Sequence, residues 1–201
     1  MIQYLRKILH AIKAWVESFA HKPYALWALF SIAFIEASIF PLPPDVLLVA
    51  LGVSAPKKAL KYGLVTAAGS FFGAYLGYYI GYASFEIIGK PVLSFFGMLR
   101  YIEPALKQYH EHGILALIFS GFTPIPYIVF TMAAGFNKTI DLLTLTIGGG
   151  IGRLIRFMLV AGLLYVFGPP VKVFIDKYFD KLSLVFAAAI VLILITLKLL
   201  L

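Results

Sequence analysis

The chain has 201 residues, of which 62% are hydrophobic and only 13% charged, against about 25% charged in an ordinary soluble domain. That composition excludes a water-soluble core of this size and points to lipid as the solvent. The net charge of +8 suits the anionic cytoplasmic face of a membrane rather than nucleic acid, and the absence of cysteine excludes disulfide and thiolate chemistry.

In residues 1–22, Ile2, Leu5, Leu9, Ile12, Val16 and Phe19 recur at helical spacing among Arg6, Lys7, His10 and Lys13. This predicts an amphipathic helix on the membrane surface. The stretch lacks the uninterrupted apolar core and small-residue cleavage site of a secretory signal. Residues 24–39 are apolar except for Glu36 and run into Phe40-Pro41-Leu42-Pro43-Pro44-Asp45, followed by a short apolar run over 46–53. Eight helical residues rise about 12 Å, too little for about 30 Å of hydrocarbon. Helix, proline break and short return helix predict a re-entrant hairpin. Lys57, Lys58 and Lys61 mark a polar loop. Residues 62–85 predict the first full span, with Gly69, Gly73, Gly77 and Gly81 four apart on one face as a seam for close helix contact.

Residues 90–112 are rich in charge, hold Pro91 and Pro104, and predict an interfacial or extramembrane segment. The His110-Glu111-His112 string within them is no metal site, because His at i and i+2 do not share a helix face. Residues 114–136 form a second proline-broken apolar unit, interrupted at Pro124 and Pro126. A second long span follows over 142–167, carrying Arg153 and Arg156, with Gly168-Pro169-Pro170 expected to close it. Gly148-Gly149-Gly150-Ile151-Gly152-Arg153 lacks both the lysine-serine/threonine ending of a P-loop and the preceding strand of a dinucleotide site. It predicts helix packing or local unwinding. Residues 182–201 supply a last apolar span.

The two broken units resemble each other at a fixed offset of 83 positions. Pro41 and Pro43 fall on Pro124 and Pro126, Ala50 on Ala133, Gly52 on Gly135 and Gly69 on Gly152. A matched pair of proline-interrupted apolar segments points to a transport site between repeats. One complete crossing between the hairpins inserts them with opposite orientation, so they should meet from opposite faces near the midplane. Basic residues at 6, 7, 13, 22, 57, 58 and 61 favour a cytoplasmic N-terminus. The expected fold is an all-α integral membrane protein: an inverted repeat with two opposed re-entrant helical hairpins plus transmembrane helices. Its parts are the 1–22 helix, a membrane domain over 23–167 (repeats about 24–85 and 107–167) and a linker and helix over 168–201.

Four ionisable residues stand in apolar surroundings: Glu36, Asp45, Arg153 and Arg156. An Asp, Lys or Arg at the centre of a membrane helix costs about 2.5–3.5 kcal/mol. Four unpaired would cost on the order of 10 kcal/mol, as much as many proteins have in total stability. They must therefore meet one another, water or a ligand. The acids lie in the first unit and the bases in the second, and Arg153 and Arg156, three apart, share a helix face. A structural ion-pair network is one reading; proton uptake by the carboxylates with anion binding by the arginines is the other. Asp45, just after Pro44, also suits a helix N-terminus.

The stretches Phe34-Ile35-Glu36-Ala37-Ser38-Ile39-Phe40-Pro41-Leu42-Pro43-Pro44-Asp45, Gly121-Phe122-Thr123-Pro124-Ile125-Pro126-Tyr127 and Gly152-Arg153-Leu154-Ile155-Arg156-Phe157 resemble the DedA family of bacterial membrane proteins (the VTT or SNARE-associated domain superfamily), in its YqaA-like branch. The resemblance implies two opposed re-entrant hairpins and transport of polyprenyl phosphate carriers or phospholipids, dependent on proton motive force. It implies a proton-coupling or gating role for Glu36 and Asp45. The chain departs from the family at Gly121 and Tyr127, where many members place arginines, and at Ile128, where the YqaA-like pattern places a lysine.

The expected function is therefore a flippase or scramblase for a phosphate-bearing lipid, with proton coupling an open option. Arg153 and Arg156 are expected to bind the anionic headgroup, and Pro41, Pro43, Pro44, Pro124 and Pro126 to form the hairpin breaks. A proton- or cation-coupled solute transporter and a non-transporting structural protein are the alternatives. No nucleophile or metal constellation marks an enzyme, and no cofactor or nucleic-acid partner is expected. The expected location is the cytoplasmic (inner) membrane of a bacterium or archaeon, with oligomeric state open and a homodimer one option.

Overall fold

A computed structural model describes residues 18, 20, 22, 24–120, 123, 125–137, 140–171 and 173. The expected surface helix at 1–22, apart from those three positions, the expected span at 182–201 and Pro124 lie outside the described residues. Among the described residues every regular element is helical.

Helix α1 (Tyr24–Ser38) ends where its last turn widens. The amides of both Ile39 and Phe40 bond the Ile35 carbonyl at 2.9 Å, and Pro41, which has no amide to offer, stops the ladder. Pro43 is the N-cap of α2 (Pro44–Ser54), with Pro44 in its first turn, where a missing N–H costs nothing. A short 3-10 turn over Pro56–Lys58 leads into α3 (Ala59–Ser84). The return helix is thus longer than the 46–53 expected, and α3 starts three residues early. A wide π turn over Phe85–Gly89 carries α3 into α4 (Lys90–Phe95).

Helices α5 (Ile102–His112) and α6 (Ile114–Ser120) meet at Gly113, which has φ +53°, a value that favours glycine. Next comes α7 (Tyr127–Asn137). The final described helix, α8 (Leu142–Val171), opens with Asp141 as its N-cap, accepting the Thr144 amide at 2.8 Å. Hydrogen bonds from the Thr144 side chain and amide hold the Asp141 carboxyl below the ordinary carboxylate range. A π turn over Leu145–Gly149 lies just inside α8.

One expectation needs correction. Gly168-Pro169-Pro170 does not close the last helix, which runs through it to Val171. Proline's fixed φ fits a helix, and each of the two prolines removes one backbone hydrogen bond from it. The smallness of Gly168 also lets α8 press on Pro56, where an added Cβ would stand 2.9 Å away. The 90–112 segment packs on the rest of the protein through its apolar residues. Leu93, Ile102, Ala105 and Tyr109 are buried, and the Tyr109 hydroxyl donates to the Phe130 carbonyl of α7. Its charged residues stay outside, and Glu86 and Lys90 pair at 3.0 Å on the surface.

The glycines set the helix arrangement. Added Cβ atoms at Gly69 and Gly73 would strike the carbonyls of Phe30 and Phe34, and one at Gly77 would meet the Ala37 carbonyl at 2.7 Å. Helix α1 therefore lies parallel to α3 along the predicted seam. Gly148 meets Ile114 and Leu117, and Gly152 meets the Ile118 carbonyl, so α6 lies parallel to α8. The long helices themselves run antiparallel, with Gly63 against Ala161, Gly150 against Phe71, and the Tyr75 hydroxyl 2.8 Å from Thr146 Oγ1. The proline-broken pairs α1–α2 and α6–α7 consequently enter from opposite ends of the α3–α8 pair.

The second arms change partners. Gly52 of α2 packs on Leu164 of α8, whereas Gly135 of α7 packs on the backbone of α3 at Tyr78 and Tyr82. Helix α7 is apolar on every side and is buried from Tyr127 to Ala134, as an all-round apolar helix must be. Replacing Gly73 or Gly81 by valine should destabilise the fold by about 1–3 kcal/mol or more through overpacking, because the obstructing atoms are backbone carbonyls. Thermal unfolding in detergent should show this, whereas Gly162→Val, where an added Cβ meets nothing within 4 Å, should change little.

Candidate functional site

The four out-of-place charges meet. Arg153 donates through Nη2 to Glu36 Oε2 in a close ion pair, and Arg156 Nη2 donates to Asp45 Oδ2 at 2.7 Å. Each acid is held by the first hairpin: Glu36 in the last turn of α1, Asp45 in the first turn of α2. Each base projects from α8, so both pairs join the hairpin to the other half of the chain. Glu36 and Arg153 are buried at 7% and 2% exposure; Asp45 and Arg156 are half-buried, their side chains 27% and 31% exposed.

Arg153 has further partners. Its Nε donates to Ser70 Oγ at 2.7 Å, and its guanidinium carbon stands 4.5 Å from the ring centre of Tyr127 and 4.7 Å from that of Phe157. Two aromatic rings thus flank the cation. Among the described residues, no buried side-chain nitrogen or oxygen lacks a hydrogen-bond partner.

The pairs border a cavity of about 280 Å³. Pro41, Pro43 and Pro44 line it from one hairpin, Thr123, Ile125, Pro126 and Tyr127 from the other, with all four charged side chains between them. The proline breaks of both units therefore face the same space as the charges. Thr131 of α7 ties the hairpins together, donating to the Ala37 carbonyl at 2.9 Å.

Ser70, Tyr127 and Phe157 were not singled out as site residues by sequence reasoning. Ser70 had a signal: it lies 83 positions before Arg153, the offset of the internal repeat, so the two bonded residues occupy corresponding places in the two halves. Tyr127 follows the second Pro-x-Pro directly, as Pro44 follows the first. Phe157 has no such mark beyond its place one turn after Arg153.

The chain resembles two curated proteins over most of its length. It is 33% identical over 143 residues to an uncharacterized protein from Haemophilus influenzae, covering 71% of this chain and 73% of that one. It is 37% identical, over the same number of residues and the same shares, to an uncharacterized protein from Histophilus somni. The chain belongs to the family of these proteins. No family model matches it, and no solved structure does.

Removing one member of a buried ion pair leaves the other charge without compensation and costs about 3–5 kcal/mol, while replacing both by apolar groups is often neutral or better. Arg153→Met and Glu36→Leu should each be strongly destabilising, and the double variant should recover much of the loss. A double-mutant cycle on thermal stability in detergent measures the coupling. Simple additivity would show that the pair contributes nothing as a pair.

Proposed function

We propose that this chain is a DedA-like integral membrane protein whose two proline-broken hairpins are re-entrant, and that it moves a phosphate-bearing lipid between leaflets together with protons. The observation that carries this reading is the cavity between the hairpin breaks, lined by two acid–arginine pairs. A purely structural ion-pair network has no use for such a space beside it.

Several features support a lipid surrounding. Helix α8, over Leu142–Val171, is long and apolar enough to cross a bilayer. Helix α3 has 26 residues, about 39 Å of rise, but its glycines, tyrosines and serines leave α8 as the one helix among the described residues both long and apolar enough to cross. Large apolar side chains stand exposed on many elements, among them Trp27, Val46, Ile87 and Phe95 at 71–83%, more than a water-facing surface carries. Broken backbone at membrane depth is tolerated where it borders protein or a water-filled cavity, as the proline segments do here.

The coupling follows from competition between carboxylate and phosphate for the guanidinium groups. While Glu36 and Asp45 are ionised, they occupy Arg153 and Arg156. Protonating a carboxylate removes its charge, and an incoming phosphate can take the vacated fork, which arginine binds bidentately. Phosphate entry and carboxylate protonation then favour each other, and this reciprocity couples lipid to proton.

Lipid translocation in proteoliposomes tests the reading, using fluorescent phosphatidylglycerol in vesicles with and without a pH gradient. Wild type should flip the probe well above empty vesicles. Glu36→Gln and the Arg153→Ala/Arg156→Ala double variant, checked for intact folding, should lose at least about tenfold in rate. Equal rates in protein-containing and empty vesicles, or variants as fast as wild type, would overturn it.

A further inference from the structure

Beside the arginine cavity, on the other side of Tyr127, an open groove of about 500 Å³ runs between α3 and α8. Its walls are Leu64, Phe71, Ile147, Ile151 and Leu154, and its floor is made of small residues, chiefly Ala68 and Gly150. Its volume lies within the roughly 300–1,000 Å³ of ordinary ligand pockets. Apart from Thr146, every residue lining it is apolar or glycine.

Groove and cavity are nearly continuous. A gap of about 10 Å³, no larger than a water needs, lies between them. Phe71, Thr146 and Gly150 border both this gap and the groove, while Tyr127 borders both the gap and the cavity. On its cavity side the Tyr127 ring packs on the Arg153 guanidinium. On its other side its hydroxyl is lodged where a Cβ at Gly149 would be. Gly149 ends the π turn that widens α8 at this point, and such turns often mark functional sites. One aromatic ring therefore separates a polar compartment holding two arginines from an apolar trough.

We propose that the groove holds the hydrocarbon chain of a membrane phospholipid whose phosphate lies in the arginine cavity, with Tyr127 as the partition the molecule must displace. This rests on, and deepens, the transport reading above. The occupant is an amphiphile because the two compartments have opposite character and adjoin. A small polar solute has no use for the groove, and a wholly apolar molecule has none for the arginines. Tyr127 suits the partition because its ring can face hydrocarbon while its hydroxyl seeks a polar partner.

Photolabelling tests the site independently of transport. The full chain is reconstituted in phosphatidylcholine vesicles containing phosphatidylglycerol with a diazirine on its acyl chain, irradiated and mapped by mass spectrometry. Adducts should concentrate on Leu64, Phe71, Ile151 and Leu154 over equally apolar exposed residues such as Trp27 and Leu159. Gly150→Leu, which fills the groove, and Leu154→Trp at its rim should each lower groove labelling about tenfold while leaving labelling at Trp27 unchanged.

Uniform labelling of all exposed apolar residues would overturn the proposal, as would groove labelling that neither substitution reduces. A groove closed by another part of the chain or by a second copy would stay unlabelled, and that result would overturn it equally. Flipping measured in the same vesicles separates the two readings. Groove adducts without flipping would retain the chain site and remove transport; flipping without groove adducts would retain transport and remove the site.

Discussion

The two halves of the chain are joined where Glu36 meets Arg153. A buried carboxylate and a buried guanidinium are each too costly to leave alone in apolar surroundings, and they lie 117 positions apart in the chain. Their meeting fixes the first hairpin against the last described helix. Around it the structure supplies what desolvated charges need: the Ser70 hydroxyl for Arg153 Nε, two aromatic rings beside the guanidinium, and the second pair through Arg156 and Asp45. Glycines at the helix crossings provide the close approach that brings these groups within reach.

The arrangement has a functional logic in the exchanged second arms. Because α2 packs on α8 and α7 on α3, neither half of the chain encloses the cavity alone. Both proline breaks, which leave backbone groups outside a helix ladder, face the same interior space and the same charges. Under the proposed function, an anion entering there would compete with carboxylates for arginines already held in position. Such binding would need little reorganisation of the bases, and its cost would fall on the acids, which a proton can neutralise. Tyr127 belongs to both compartments, packed on Arg153 and bordering the gap to the groove. It stands where the family resemblance would place an arginine, so the positive charge of this site comes from α8 instead.

Much of this was legible in the sequence. Unpaired charge in apolar surroundings is prohibitive, so two acids in one half and two bases in the other had to find each other or a ligand. Prolines end and start helices by local rules, and the breaks at 40–43 and beyond Ser120 lie where those rules put them. Glycines four apart predicted a close helix seam, which Gly69, Gly73 and Gly77 form. Local rules failed at Gly168-Pro169-Pro170, which stays helical with Gly168 against Pro56; over 90–112 they gave the exposed charges but not the burial of Tyr109 and its neighbours.

By itself, then, the sequence determined the helical class, the positions of the breaks and the requirement that the four charges be neutralised, because each follows from proline geometry, hydrophobic spacing or the cost of desolvation. Only the tertiary structure decided which acid meets which arginine, because that choice depends on the rotation and offset of helices far apart in the chain. The same long-range packing brought Ser70 onto Arg153, exchanged the hairpin arms between the two long helices, and left Tyr127 between a charged cavity and an apolar groove. None of these has a local signature, since each arises from surfaces that meet only when the whole chain is folded.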